Sequence, residues 1–140
     1  MACIFITGAS SFSAKPLIRL LVEENAHTIL GTGRRPLDEP VKGWRYERGD
    51  IRDKESLRGV LKGFSPQWVF HLAGIKSGSL ADLYDVNLRG SKNLLEVLQE
   101  KTAVADGRIL FIGSAAEYGL SGRDGAMVTE RGLLQPVAGY

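Results

Sequence analysis

Short apolar runs alternate along the chain with longer stretches in which apolar residues return every three or four positions. "ACIFI" (2–6) is a continuous apolar run bounded by "TGASS", as expected of a strand covered on both faces. Leu17, Ile18, Leu20 and Leu21 then recur at helical spacing and end near Asn25, with Pro16 early in that helix, where unbonded N–H groups occur anyway. "HTILGT" (27–32) predicts a second strand and "WRYERGD" (44–50) a weaker third. "DKESLRGVLKGF" (53–64) predicts a helix with Asp53 as its N-cap. "QWVFHLA" (67–73) predicts a fourth strand, and residues 79–101 one long amphipathic helix with Leu83, Val86, Asn87, Leu94, Leu95 and Leu98 roughly on one side. "RILFIGS" (108–114) predicts a fifth strand; from 115 onward the chain is polar and Gly-rich, with no clear element.

Strand and helix alternating over short connections mean a parallel sheet with helices on both faces. Right-handed crossovers give an α/β, Rossmann-type doubly wound sheet of about five strands, in the order 3-2-1-4-5. Ligands of such sheets bind outside the carboxyl ends of the strands. The residues that matter are therefore those just after each strand: 7–14, 32–35, 50–52, 71–76 and 113–119.

Composition narrows the picture a little. At 140 residues the chain is one domain, 1–140, with 44% hydrophobic and 24% charged residues. Eighteen basic and sixteen acidic residues are interspersed, which gives no nucleic-acid footprint. No apolar run reaches membrane-spanning length, and the N-terminus enters a strand without a basic leader, so no membrane partner and a cytoplasmic location are expected. Cys3 is the only cysteine and is expected to be a buried, inert thiol; no metal-binding cluster stands out.

The stretch "IFITGASSFSAKPLIRLL" (4–21) carries the first candidate chemistry. Gly8 falls where a strand must turn tightly and let the backbone approach a phosphate. The helix N-terminus beyond it offers free N–H groups and a partial positive charge. Ser11 and Ala14 stand where two further glycines are expected, so any cofactor binding is weakened. Ser11 can still donate its hydroxyl to a phosphate, while Ala14 brings a methyl where helix and strand press together, overpacking that costs about 1–3 kcal/mol unless the helix shifts. An NAD-preferring site carries an acid at the end of the second strand. Thr32 holds that position here, followed by Gly33, Arg34 and Arg35. A guanidinium binds a 2′-phosphate that a carboxylate would repel, so NADP is expected over NAD unless the two arginines are only solvated loop charges. Asp50 can accept from an adenine amino group, or cap the helix that follows. "HLAG" (71–74) leaves room for a flat cofactor, and His71 by itself is expected to be a satisfied core histidine.

"TGASSFSA", "GDIRD", "HLAG", "DVNLRGSKNLLE" and "RILFIGSAAEYG" follow one another in an order and spacing that resemble the extended short-chain dehydrogenase/reductase family, in its epimerase/dehydratase branch acting on nucleotide sugars. The resemblance covers essentially the whole chain. "IGSAAEYG" with "TERGLLQPVAGY" looks most like the dehydratases and 4-keto-reductases. It implies that Gly8, Ser11, Phe12, Ser13, Arg34, Arg35, Asp50, Ile51, Leu72, Ala73, Gly74 and Asn87 contact the cofactor. It also implies that Ser114 hydrogen-bonds the reacting oxygen, and that Tyr140 is the tyrosine of a Tyr-x-x-x-Lys motif that transfers the proton. Tyr118 and Gly119 match the end of a Ser-x-x-x-Tyr-Gly stretch, and Glu117 and Glu130 fall near the expected sugar pocket.

The lysine that the motif places four residues after Tyr140 is not among these 140 residues, nor are the family's later strands and substrate domain. The expected function is the cofactor-binding portion of an NAD(P)-dependent sugar-nucleotide epimerase, dehydratase or reductase, inactive as the isolated chain. The alternative is a non-catalytic nucleotide-binding or interaction module. In the family the long helix packs in a subunit-spanning bundle, so Leu94, Val97 and Leu98 are expected to be partly uncovered and the chain to form a homodimer, unless residues 115–140 fold back over that surface.

Overall fold

The computed structural model describes residues 1–37, 42–101, 107–122, 125 and 127–137. Five parallel strands form one sheet in the order β3-β2-β1-β4-β5. They are β1 (Ala2–Thr7), β2 (His27–Gly33), β3 (Arg45–Arg48), β4 (Trp68–His71) and β5 (Arg108–Phe111). β1 lies at the centre, with Thr7 opposite Thr32 of β2 on one side and His71 of β4 on the other.

Successive side chains of β1 go to opposite faces, and each face has its own core. Phe5, Leu30 and Val69 pack with Leu57, Val60 and Leu61 of α2 (Lys54–Val60) and its final turn, and with Leu94, Val97 and Leu98 of α4 (Gly90–Gln99). Ile4, Ile6 and Ile29 pack instead with Ala14, Ile18 and Leu21 of α1 (Ala14–Glu23), whose spacing gives the helix its apolar stripe. Asn25 takes a left-handed φ of 47° just past α1, which stops the helix. Asp53 caps α2, its carboxylate accepting from the Glu55 N–H at 2.9 Å. Cys3 is half-buried rather than buried, at the margin of the α2 and α4 core.

The long helix is not uniform. α3 (Leu80–Leu83) begins at a reciprocal cap between Ser79 and Asp82. A π-helical turn, Tyr84–Arg89, follows, and the Gly90 N–H reaches back to the Asp85 carbonyl. α4 then completes the element. Leu94, Val97 and Leu98 are not uncovered, as expected from the missing bundle: they are 0, 0 and 1% exposed, because the sheet and α2 use that stripe. The outward apolar residues of the long helix include Leu80, Tyr84, Leu88 and Leu95. β5 is an edge strand, and Leu110, Phe111 and Ile112 remain about half exposed. The described part of 115–137 closes on itself instead of on them, through Leu120 N–H to the Gln135 carbonyl at 3.1 Å and Ser121 Oγ to the Leu133 carbonyl at 2.7 Å.

Candidate functional site

At the carboxyl ends of β1, β2 and β4 lies a crevice of about 280 Å³, lined among others by Gly8, Ser10, Ser11, Thr32, Gly33, Arg34, Arg35, Gly49, Asp50, Ile51, Leu72, Ala73 and Gly74. A second recess of about 520 Å³ shares Leu72–Ile75 with it and continues to Lys76, Asn87, Ser91, Phe111, Ser114 and Glu117. The loop after β4 is thus the common wall of a groove running from the Arg34–Arg35 corner to Ser114.

The turn after β1 is built for close approach. Gly8 has φ +66°, and a Cβ there would lie 2.7 Å from the Ala73 nitrogen and 2.8 Å from the Leu72 carbonyl carbon. The backbone of the loop after β4 therefore requires glycine here. Ser11 Oγ accepts the Ala14 N–H at 3.3 Å, which leaves the hydroxyl proton free to donate into the crevice. Ser13 makes no side-chain cap bond and α1 has no acid in its first turn, so apart from Ser11 Oγ no side-chain acceptor among the described residues competes with an anion there. Ala14 is fully buried in the α1 core, its methyl absorbed. Phe12 and Ser13 do not line the crevice, and the Phe12 ring stands in solvent, 92% exposed.

The end of β2 differs from the sequence expectation in one respect. Strand alternation turns Thr32 inward: it is fully buried, and its hydroxyl faces Gly49. Gly33 is the residue whose missing side chain would point over the glycine turn, toward Ser10 Oγ at 3.4 Å and the Tyr46 hydroxyl at 3.0 Å. Neither position offers a carboxylate. The loop beyond is held from β3: the Tyr46 hydroxyl donates to the Arg35 carbonyl, and Arg48 Nε donates to the Arg34 carbonyl at 2.9 Å.

Asp50 does not cap α2. Its carboxylate accepts the Arg52 N–H at 3.0 Å and the Arg52 guanidinium at 2.6–3.1 Å, and that pairing holds its carboxyl below the ordinary range. Two asparagines of the long helix fix the neighbouring loops. Asn87 exchanges two hydrogen bonds of 2.9 Å with the backbone of Ile75. Asn93, which sequence reasoning passed over, donates to the carbonyls of Ile51 and Arg52 at 3.1 and 2.9 Å.

His71 is a satisfied core histidine, and its tautomer follows from its partners. Ser91 Oγ donates its proton to the Asn87 carbonyl at 2.6 Å, so it accepts from His71 Nε2 at 2.9 Å. His71 Nδ1 then accepts from the Thr7 hydroxyl at 2.7 Å, and Thr7 in turn accepts the Ala73 N–H at 3.3 Å. Burial pushes the imidazole pKa down to about 4, which keeps the ring neutral. Ser91 was legible only as the residue one helical turn after Asn87.

Ser114 Oγ accepts the Ala116 N–H at 3.2 Å, capping the 3-10 turn Ala115–Tyr118, and keeps its own proton free toward the second recess. Tyr140 lies outside the described residues. Lys76 and Phe111 also line the recess, without a signal in the sequence beyond their place after strands. Among the described residues no group of three His, Cys, Asp or Glu side chains converges as a metal site, and no helix is long and apolar enough to cross a membrane.

A doubly wound parallel sheet with a glycine turn opening into a crevice at its carboxyl ends defines a dinucleotide-binding unit. The sequence profile described as "NAD dependent epimerase/dehydratase family" matches residues 4–140, and the chain belongs to that family. It is 25% identical over 156 residues to a probable dTDP-glucose 4,6-dehydratase of Sinorhizobium fredii (strain NBRC 101917 / NGR234), covering 98% of this chain and 43% of that protein. It is 27% identical over 136 residues to the UDP-glucose 4-epimerase of Bos taurus, covering 83% and 38%. The crystal structure of a UDP-glucose 4-epimerase superposes with TM-score 0.84 at 25% identity, over 99% of this chain and 43% of that one. The Bordetella bronchiseptica enzyme WbmG in complex with NAD and UDP shares the fold, with TM-score 0.81 at 23% identity over 98% and 44%. The chain thus spans well under half the length of these relatives.

Proposed function

We propose that residues 1–140 are the cofactor-binding portion of an NAD(P)-dependent enzyme that modifies a nucleotide sugar, with NADP preferred. The observation that carries this is the continuous groove from the arginine corner to Ser114, walled by Leu72–Ile75 and opened by Gly8. The residues fit a dinucleotide: Gly8 admits the pyrophosphate, the first turn of α1 and the Ser11 hydroxyl face it, and Arg34 and Arg35 stand where the adenosine ribose would carry a 2′-phosphate. When bound, a nicotinamide supplies hydride exchange with a substrate carbon. This chain's part is to bind and orient. Asn87 holds the loop that separates the two recesses, and the Ser114 proton is available to the oxygen of a reacting alcohol or carbonyl. Tyr140 is the proposed proton carrier, and a phenol of ordinary pKa near 10 needs a neighbouring cation to act at neutral pH. The isolated chain is therefore proposed to bind cofactor without turnover.

Calorimetry with NADPH and NADH tests this. Binding of either, tighter for NADPH, is expected. Binding of neither to a cooperatively folded chain would overturn it. The alternative of a non-catalytic module is favoured by one observation, that the Ser11 and Ser114 hydroxyl oxygens both serve local caps. We further propose two-fold self-association through the half-exposed β5 edge or the outer stripe Tyr84, Leu88 and Leu95; light scattering that shows a monomer at tens of micromolar would refute it.

A further inference from the structure

We propose that Arg48, on β3, is a second cation of a ribose 2′-phosphate subsite, acting beside Arg34; this rests on the NADP assignment above. Tyr46 and Arg48 are two residues apart on β3 and share a face. Their register partners on β2 are Gly31 and Gly33. With no side chains opposite, Tyr46 and Arg48 lean across β2 onto the loop leaving it and hold the carbonyls of Arg35 and Arg34. A loop carrying two adjacent arginines is thus fixed at both carbonyls, which leaves its guanidinium groups to a ligand.

Arg48 uses only Nε in that brace, and four of its five N–H donors remain. It lines a recess of about 410 Å³ with Arg34, Gly49, Asp50, Arg52 and Ser56, which meets the main crevice at Arg34, Gly49 and Asp50. The charge there is unbalanced. Among the described residues, the one carboxylate lining this recess, Asp50, pairs with Arg52 at 2.6 Å. Arg34 and Arg48 supply two further positive charges at one corner. A phosphate monoester is the matching ligand, because it carries close to two negative charges at neutral pH and accepts from two guanidinium forks at once. A second phosphate-binding cation on β3, rather than on the loop after β2, also explains why β3 ends in a polar, outward-leaning residue beside glycine.

The probes are 2′,5′-ADP (adenosine 2′,5′-bisphosphate) and 5′-AMP, which differ only in the 2′-phosphate, measured by calorimetry on the 140-residue chain. The parent is expected to bind 2′,5′-ADP at least ten-fold more tightly. Arg48→Met, which keeps the apolar stem, is expected to lower that ratio roughly ten-fold. Arg48→Lys is expected to fall between them, since it keeps the charge and loses the brace. It is also the informative variant should the methionine form fail to fold. A ratio that survives in both Arg48 variants and is lost only in Arg34→Ala overturns the role of Arg48 and leaves the NADP assignment standing. Equal affinities for the two probes in the parent overturn the NADP assignment and this proposal with it.

Discussion

Thr7 and His71 are register partners on β1 and β4, and their side chains meet at 2.7 Å between Oγ1 and Nδ1. The contact lies inside a directed chain from the Ala73 N–H to the Asn87 carbonyl, which needs a neutral imidazole. The folded pKa is pushed from 6.5 down to about 4, so the unfolded chain takes up a proton that the folded chain refuses. Stability contributed by this group is complete above about 6.5 and is lost as pH falls toward 4, by on the order of 3 kcal/mol. Urea unfolding at pH 7 and pH 4.5 should show a smaller loss for His71→Gln than for the parent. Equal losses would mean that His71 is not the titrating group.

The proposed preference for NADP rests on the arginine corner. Arg34→Ala should reduce the preference for NADPH over NADH by roughly ten-fold or more, the worth of a charge-assisted contact of about 1.5–3 kcal/mol. Calorimetry on parent and variant measures it, and equal affinities in the parent would exclude it.

Gly8→Ala places a methyl against backbone that cannot retreat, at a φ that alanine avoids. A loss of about 2 kcal/mol or more is expected. An unmoved urea midpoint would show that the Gly8–Ala73 approach is looser than described.

Ser11→Gly should tighten dinucleotide binding, since the Cβ it removes beside the phosphate path costs more than the weak cap and the hydroxyl donor it sacrifices. Ala14→Gly should leave the affinity unchanged, because the methyl is taken up in the α1 core, and cost stability, about 1 kcal/mol in helix propensity and ~0.8 kcal/mol in buried methyl. Paired calorimetry and thermal unfolding separate the two effects; a double variant that binds no better than the parent would refute the first.

The 140-residue chain should oxidise or reduce no nicotinamide with UDP- or dTDP-sugars, even with cofactor bound. Loss of a positioned acid–base group typically costs 10²–10⁴ in rate. Turnover that disappears in Ser114→Ala would show that the chain suffices for catalysis.

The strand order, both helical faces and most of the crevice were legible because continuous apolar runs and helical spacing report directly on burial. Asp53 was readable as a cap from its place before an apolar stripe. What the sequence hid were relations between distant positions. Leu94, Val97 and Leu98 seemed exposed while only a missing partner was considered, yet α2 and the sheet cover them. Thr32 and Gly33 are neighbours, and a one-residue difference in register decides which looks over the glycine turn. The π-turn at Tyr84–Arg89 leaves no compositional mark, and the bracing of Arg34 and Arg35 from β3 needs the pairing of two strands to be known.

Gly31 is empty because the Trp44 ring fills its place: a Cβ there would run into the indole. The two positions consequently hold a single volume between them, divided entirely in favour of one. A lineage that gains a side chain at 31 must shed bulk at 44, and neither step is comfortable alone. Among relatives these sites should therefore change as a pair, and the arginine corner would drift with them, since Trp44 stands immediately before the strand that steadies it.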